Sequence, residues 1–347
     1  MSITKIAFIG FGVVGQGLAE QLLELKDELK INHGFEYQVV AISDKVKGSV
    51  YDENGLDLQK LLDLVRSTDK IDDYPSGIKG LDSLKTITDT NANMIVEVSW
   101  TDINTGEPAV SHLKAAFNSK KHVVMTNKGP IALVVNEMQA LAKKNNVELR
   151  FEGTVLAGTP AINLGTYNLA ASKISKIQGI VNGTTNYILT EMEVNGLGFN
   201  EALKQAQELG YAEADPTADV EGYDALGKVV ILSNVLMGAN ITKDQVPCQG
   251  ITKITSEDVE VAKKEGKRWK LIASTTLAED GSVDAYVRPE KVLLSHPLAA
   301  VSGPINALTF TTKYLGDITI VGPGAGKEAT GYALLTDILD INRKISK

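Results

Sequence analysis

KIAFIGFGVVG, residues 5–15, decides the fold. Residues 5–9 form a short apolar run that reads as a buried strand. It leads directly into Gly10-Phe11-Gly12-Val13-Val14-Gly15, and Leu18, Ala19, Leu22, Leu23 and Leu25 then recur at helical spacing. Strand, G-x-G-x-x-G and helix in that order is the context in which this motif signals dinucleotide binding. Gly10 permits the tight turn, Gly12 lets the backbone approach a pyrophosphate, and Gly15 allows helix and strand to pack closely. The free amides along Val13 and Val14 and the positive end of the helix favour an anion. A glycine turn in some other α/β protein is the plainer alternative.

Working outward, residues 38–43 (QVVAIS) read as a second strand that ends at Asp44. A carboxylate there is placed to bond the adenosine ribose hydroxyls, although the gap is longer than the usual ~20 residues. Residues 26–37 account for the excess as a longer helix and loop. Asp44 favours NAD by repelling a 2′-phosphate, whereas Lys45 and Lys47 favour NADP or are simply solvated, and the residues leave both readings open. Further strands are expected at 94–98 (MIVEV), followed by Ser99-Trp100-Thr101, and at 122–125 (HVVM), followed by Thr126-Asn127-Lys128-Gly129-Pro130. Helices are expected at about 107–118 and 131–145. Ligands in open α/β sheets sit outside the carboxyl ends of the strands, so both tails point toward the cofactor crevice. That favours function over a surface role for Lys128.

The composition excludes several classes. With 347 residues, 43% hydrophobic and 22% charged, the chain is an ordinary globular protein long enough for two domains. A formal net charge of -8 argues against nucleic acid or an anionic membrane as partner. Cys248 is the single cysteine, so neither an internal disulfide nor a multi-thiolate zinc site can form. The four histidines show no ligand spacing. No signal-peptide pattern or membrane-length apolar run is visible, and a cytoplasmic protein is expected.

The second half turns on residues 209–230, LGYAEADPTADVEGYDALGKVV. Pro216, Gly210 and Gly222 oppose a helix in its first part. From Tyr223 onward, Ala225, Leu226, Val229, Val230 and Leu232 predict one. Asp224 and Lys228 then stand one turn apart on one face, below a loop carrying Glu213, Asp215, Asp219 and Glu221. On these residues alone, a surface loop and a helix salt bridge worth about 0.3–0.5 kcal/mol are favoured over a site. Strands are also expected at 147–151, 177–181, 285–287, 308–312 and 319–321. This pattern predicts a dinucleotide-binding Rossmann domain over 1–150 and a substrate-binding and dimerisation domain over 151–319. That second domain is expected to be α+β with a mixed sheet. Residues 320–347 are expected to pack back on the first domain. One sheet face needs covering by helices and the other by a second subunit, hence a homodimer.

At this point the chain resembles homoserine dehydrogenase over nearly its whole length. The likeness runs through the glycine loop, Thr126-Asn127-Lys128, FEGTVLAGTP (151–160), GIVNGTTNYIL (179–189) and residues 209–228. It ends with His296-Pro297-Leu298-Ala299 and Gly322-Pro323-Gly324-Ala325-Gly326. The family often has a Gly-Gly pair where this chain has Ser99-Trp100, and a proline near Ala329. Neither an amino-terminal kinase module nor a carboxy-terminal regulatory domain is expected.

The resemblance implies reversible oxidation of L-homoserine to L-aspartate 4-semialdehyde with NAD or NADP. It makes Lys228 the proton carrier and Lys128 a nearby cation that polarises the substrate oxygen and adjoins the cofactor. Glu213, Asp219 and Asp224 supply negative charge for the substrate ammonium and the lysines. The backbone at Gly183 and Thr184, with Tyr211, would meet the rest of the substrate. Gly324, Ala325 and Gly326, together with Ser99, Trp100 and Thr126, would adjoin the cofactor. The carbonyls of Glu152, Val155, Ala157 and Thr159 would hold a monovalent cation, Na+ or K+. The rivals are another NAD(P)-dependent amino-acid or semialdehyde dehydrogenase, and a dinucleotide sensor without chemistry. A phosphorylating semialdehyde dehydrogenase would need Cys248 as nucleophile.

Overall fold

The computed structural model describes residues 3–345, which form two compact units. The first holds the chain up to Gly158 and again from Gly326, and the second is Thr159–Ala325.

The first unit is built on a seven-stranded sheet ordered β4-β3-β2-β1-β5-β6-β7. Its strands are β1 (Thr4–Ile9), β2 (Tyr37–Asp44), β3 (Gly48–Tyr51), β4 (Ile78–Lys79), β5 (Met94–Glu97), β6 (His122–Met125) and β7 (Leu149–Arg150). β2, β1, β5, β6 and β7 are parallel. Their continuous apolar runs follow from this, since helices cover both faces of a parallel sheet. β3 and β4 extend the β2 edge antiparallel. The order reverses at β1, so the crevice lies where the glycine loop leaves it. The helix Val13–Glu24 follows that loop and packs on the last helix, Lys327–Ile345. The two approach closely at glycines: a Cβ on Gly17 would stand 2.5 Å from the Lys327 carbonyl oxygen. Leu18, Leu22, Leu334, Leu335, Ile338 and Ile341 join Ile6 and Phe8 in one buried cluster. Residues 151–158 stay with this unit, where the Glu152 N–H donates to Asp337 Oδ2 at 2.9 Å.

The second unit carries a five-stranded sheet, β10-β9-β8-β11-β12. Its strands are β8 (Ile174–Ile180), β9 (Lys267–Leu277), β10 (Val283–Leu293), β11 (Ile305–Thr312) and β12 (Gly316–Pro323). Every neighbouring pair is antiparallel. The expectation of a mixed sheet here is therefore wrong; the mixed sheet is the one in the first unit. The reason is β9, which the sequence pattern did not reveal. It pairs along all its residues with β10 through a short turn in which Asp280 accepts from the Ser282 N–H, and such a hairpin must be antiparallel. The helices Gly183–Val194, Tyr223–Leu236 and Ser256–Lys264 pack on β9 or β10. Among the described residues, no helix is long and apolar enough to cross a membrane.

Candidate active site

The glycine loop has the geometry its chemistry requires. Gly10 sits at φ +96°, and a Cβ there would lie 2.5 Å from the Val98 carbonyl oxygen. Gly12 has open space where its side chain would be, and a Cβ on Gly15 would press on the Gly10 carbonyl at 3.0 Å. The helix beginning at Val13 leaves its first N–H groups without intrahelical partners, facing the end of β1. Beside the loop lies a cleft of about 1050 Å³. Of the residues anticipated for the cofactor, Gly10, Gly12, Asp44, Lys45, Ser99 and Trp100 line it, whereas Val13, Val14, Gly15, Thr126 and Lys128 do not.

Asp44 closes the end of β2 onto the glycine loop. Its Oδ2 accepts from the Phe11 N–H at 2.8 Å, and its Oδ1 from the N–H groups of Val46 and Lys47 at 2.9 and 3.0 Å. Lys47 is paired with Asp69, while Lys45 is exposed. The tails of β5 and β6 are tied by Asn127, whose Nδ2 donates to the Trp100 carbonyl at 2.9 Å and whose Oδ1 accepts from the Gly129 N–H. Lys128 is the half-buried first residue of the helix Lys128–Lys144.

Sequence reasoning missed the polar floor of this cleft. Glu97, fully buried at the end of β5, accepts from Ser99 Oγ and faces His112 Nδ1 at 3.2 Å. His112 Nε2 in turn meets Ser83 Oγ at 2.8 Å. His112 and Ser83 both line the cleft. The available signal was the glutamate inside an otherwise apolar strand, a residue type rarely buried without a partner.

In the second unit the carboxylate–lysine segment gathers a buried Lys228 with a half-buried Asp219 and Asp224. The first part of the segment is a loop with one short helical turn, Thr217–Val220, and the helix Tyr223–Leu236 follows. Lys228 is only 6% exposed. Its Nζ donates to Asp224 Oδ2 and to the Val181 carbonyl, both at 2.6 Å. Asn182, the cap of the helix Gly183–Val194, donates from Nδ2 to Asp219 Oδ1 at 2.6 Å and to Asp224 Oδ2 at 3.0 Å. Burial raises the Asp219 carboxyl above its usual range, and the nearby Asp224 charge adds to this. A solvated helix salt bridge does not describe this arrangement, because the amine has left water and is held by two acceptors.

Thr184 Oγ1 donates to the Tyr211 carbonyl at 2.5 Å, and the Tyr211 ring packs on Tyr187 at 4.9 Å. Asp219, Asp224, Lys228, Thr184 and Tyr211 thus gather around the start of one helix, with Asn182 as an unanticipated member. Glu213 is exposed at the loop edge. In the closing glycine segment Gly324 is half-buried, and Ala325 and Gly326 are exposed, with Gly326 at φ +126°.

Of the residues anticipated for a cation, Glu152, Val155 and Ala157 are buried. Leu156 and Ala157 adopt φ of 56° and 48°, a left-handed conformation uncommon for such residues. Thr159 Oγ1 bonds the Pro323 carbonyl at 3.0 Å. Cys248 stands against Gly222, with burial raising its thiol above the usual range, the state of an unreactive cysteine.

Comparison with known proteins agrees with this geometry. The homoserine dehydrogenase family model matches residues 160–339. A model described as glutamate/leucine/phenylalanine/valine dehydrogenase matches residues 1–104, within the dinucleotide-binding part. The NAD(+)-dependent homoserine dehydrogenase of Pseudomonas canavaninivorans is 45% identical, over 100% of this chain and 98% of its own length. A crystal structure of a putative homoserine dehydrogenase from Archaeoglobus fulgidus superposes with a TM-score of 0.88 at 36% identity, covering 98% of this chain and 99% of its own. A hyperthermophilic archaeal homoserine dehydrogenase in complex with NADPH gives a TM-score of 0.85 at 30% identity, over 99% and 98% of the two chains. The chain belongs to the homoserine dehydrogenase family.

Proposed function

We propose that this NAD(P)-dependent oxidoreductase interconverts L-homoserine and L-aspartate 4-semialdehyde, a step toward threonine and methionine, with Lys228 carrying the proton. One observation supports this most. An ammonium has three N–H donors, and at Lys228 two are taken, by Asp224 and Val181, within a buried polar cluster. The third is available for a substrate oxygen. The cleft beside Gly10, Gly12 and Asp44 suits a dinucleotide, because the loop leaves the space above Gly12 open. NAD or NADP, when bound, supplies the hydride acceptor at its nicotinamide C4.

The remaining work falls to the chain's own groups. In oxidation the neutral Lys228 amine takes the hydroxyl proton, and in reduction its ammonium returns a proton to the aldehyde oxygen. Asp224 orients the amine by accepting a hydrogen bond from its Nζ. Asp219, Asp224 and Glu213 attract the substrate ammonium. The N–H groups of Gly183 and Thr184, at the positive end of a helix, suit the carboxylate. Lys128 is assigned the electrostatic role, polarising the oxygen that Lys228 serves.

Asp44 favours NAD over NADP. Its carboxylate is fixed by three backbone N–H groups and cannot swing away from a 2′-phosphate. A monovalent cation is assigned to the carbonyls of Glu152, Val155, Ala157 and Thr159, because oxygen donors suit a hard ion. Activity in KCl or NaCl but not in choline chloride supports that assignment, and equal activity in all three removes it. The exposed Leu293, Leu294, Tyr314, Leu315 and Val321 of the second sheet and its turns suit a second copy of the chain. Light scattering at the dimer mass is the expected result.

Absorbance at 340 nm with purified protein, L-homoserine and either dinucleotide tests the reaction. A rise with at least one is expected. Dinucleotide binding by calorimetry without any rise would instead mark a sensor that retains the fold and lacks the chemistry.

A further inference from the structure

Asn306, at the start of β11, is fully buried, and among the described residues neither its Nδ2 nor its Oδ1 has a hydrogen-bond partner. A buried carboxamide with both ends unsatisfied is rare, because each end loses its hydration without compensation. Slack in the surroundings does not explain it, because the preceding segment is firmly held. Asn186 Nδ2 donates to the carbonyls of Val301, Gly303 and Ile305 at 3.3, 2.9 and 3.1 Å. Lys270 Nζ adds bonds to Asn186 Oδ1 at 2.9 Å and to the Val301 carbonyl at 2.5 Å. Fixing the segment this tightly while leaving its next side chain unpaired is costly for folding alone.

The carboxamide lies near two glycines. A Cβ on Gly324 would stand 2.0 Å from its Nδ2 and 2.2 Å from its Cγ, so the backbone of the closing glycine segment rests on the amide plane. Near the amide oxygen, a Cβ on Gly183 would stand 2.8 Å from the Pro304 carbonyl oxygen and 3.4 Å from Asn306 Oδ1. Gly183 is the first residue of its 12-residue helix, where the N–H groups of Gly183 and Thr184 have no intrahelical partner. With neither end bonded, the carboxamide can present its donor or its acceptor to this turn by rotating about its last bond.

We propose that Asn306 is a positioning residue for the amino-acid substrate. It supports the Gly183–Thr184 turn from behind, and its carboxamide gains hydrogen bonds to that turn and to the segment around Gly324 when substrate draws them in. The inference rests on the homoserine reading and assigns a residue that the reading does not include. A polar group kept for function rather than for folding leaves a recognisable signature: its removal spares the unliganded fold and harms the liganded one.

The test uses the full chain with Asn306→Ala and with Asn306→Leu, at saturating dinucleotide. The homoserine KM is expected to rise at least about tenfold while kcat stays within about threefold. Dinucleotide affinity by calorimetry is expected to be unchanged. The melting temperature without ligands is expected to stay level for Asn306→Ala and to rise for Asn306→Leu if the larger side chain is accommodated. A folded Asn306→Ala enzyme whose homoserine KM lies within about twofold of the parent overturns the assignment. So does a lowered melting temperature with unchanged KM, the pattern of a purely structural amide. A parent that does not turn over homoserine with either dinucleotide overturns the functional reading, and this inference with it.

Discussion

The Asp44 carboxylate accepts a hydrogen bond from the Phe11 N–H at 2.8 Å, so the end of β2 and the glycine loop are joined by one side chain, the one proposed to meet the cofactor ribose. On that proposal, binding and choice of dinucleotide are coupled at one residue. Lys47, a candidate for holding a 2′-phosphate, has its ammonium paired with Asp69. Asp44→Ser should lower the NAD/NADP ratio of kcat/KM at least about tenfold, close to 1.4 kcal/mol. It should also weaken both dinucleotides by loosening the loop. A ratio that does not move in steady-state kinetics places Asp44 away from the ribose.

The glycines of the motif should respond differently to substitution. Gly12 has a negative φ of -76° and nothing within 4 Å of a built Cβ, so Gly12→Val should fold with a near-parental melting curve. Its side chain would occupy the space a pyrophosphate needs, and calorimetry should detect no dinucleotide binding. Gly10→Ala meets both a positive φ and the Val98 carbonyl at 2.5 Å, so it should lose stability by roughly 1–3 kcal/mol or more. Unchanged dinucleotide affinity in folded Gly12→Val would contradict the cleft assignment.

Lys270 gives the second unit a measurable pH dependence. Burial lowers its ammonium from 10.5 to about 8. Between those values the unfolded chain binds the extra proton and the folded chain does not, so stability contributed by this group rises with pH. The gap corresponds to roughly 3 kcal/mol. Lys270→Met should flatten that rise when denaturant unfolding is compared at about pH 7 and about pH 10. Burial holds Lys121 similarly, at about 8, and it remains in both proteins, so its contribution cancels in the comparison. Equal slopes in parent and variant would show that Lys270 does not titrate there.

Glu213 offers a contrast with the buried cluster. It is exposed, so Glu213→Ala should leave the melting temperature unchanged. Its expected effect is a homoserine KM raised by about tenfold with kcat little changed, the pattern of lost substrate binding. A KM within about twofold of the parent removes Glu213 from the substrate's partners.

Much of the first unit was legible because its information is local. β1, the three glycines and the following helix occupy one stretch, and β5 and β6 announce themselves as apolar runs. The antiparallel second sheet was harder. β9 begins with Lys267 and Arg268 and lacks a clean alternation, so its pairing with β10 shows only in three dimensions. The i,i+4 relation of Asp224 and Lys228 was readable from spacing, but their burial was not. It comes from the Val181 carbonyl and from Asn182, which the chain brings from a distant segment. Asn182 could have been noticed as an N-cap residue opening an apolar helix. The Glu97–His112–Ser83 chain joins three separate elements and leaves no spacing signal.

Replacing Lys228 with alanine tests the central claim most directly, by measuring kcat for homoserine oxidation at a pH where chemistry limits the rate. The variant removes the cation bonded to Asp224 Oδ2 and leaves Asp219 and Asp224, the two carboxylates that Asn182 Nδ2 bridges, without it. Far-UV circular dichroism and a melting curve must therefore accompany the kinetics. With Lys228 as proton carrier, the folded variant has kcat lowered by about 10²–10⁴, the range for losing a general acid–base, and a homoserine KM that changes much less. Retention of kcat within about fivefold in the folded variant would contradict it and turn attention to Lys128.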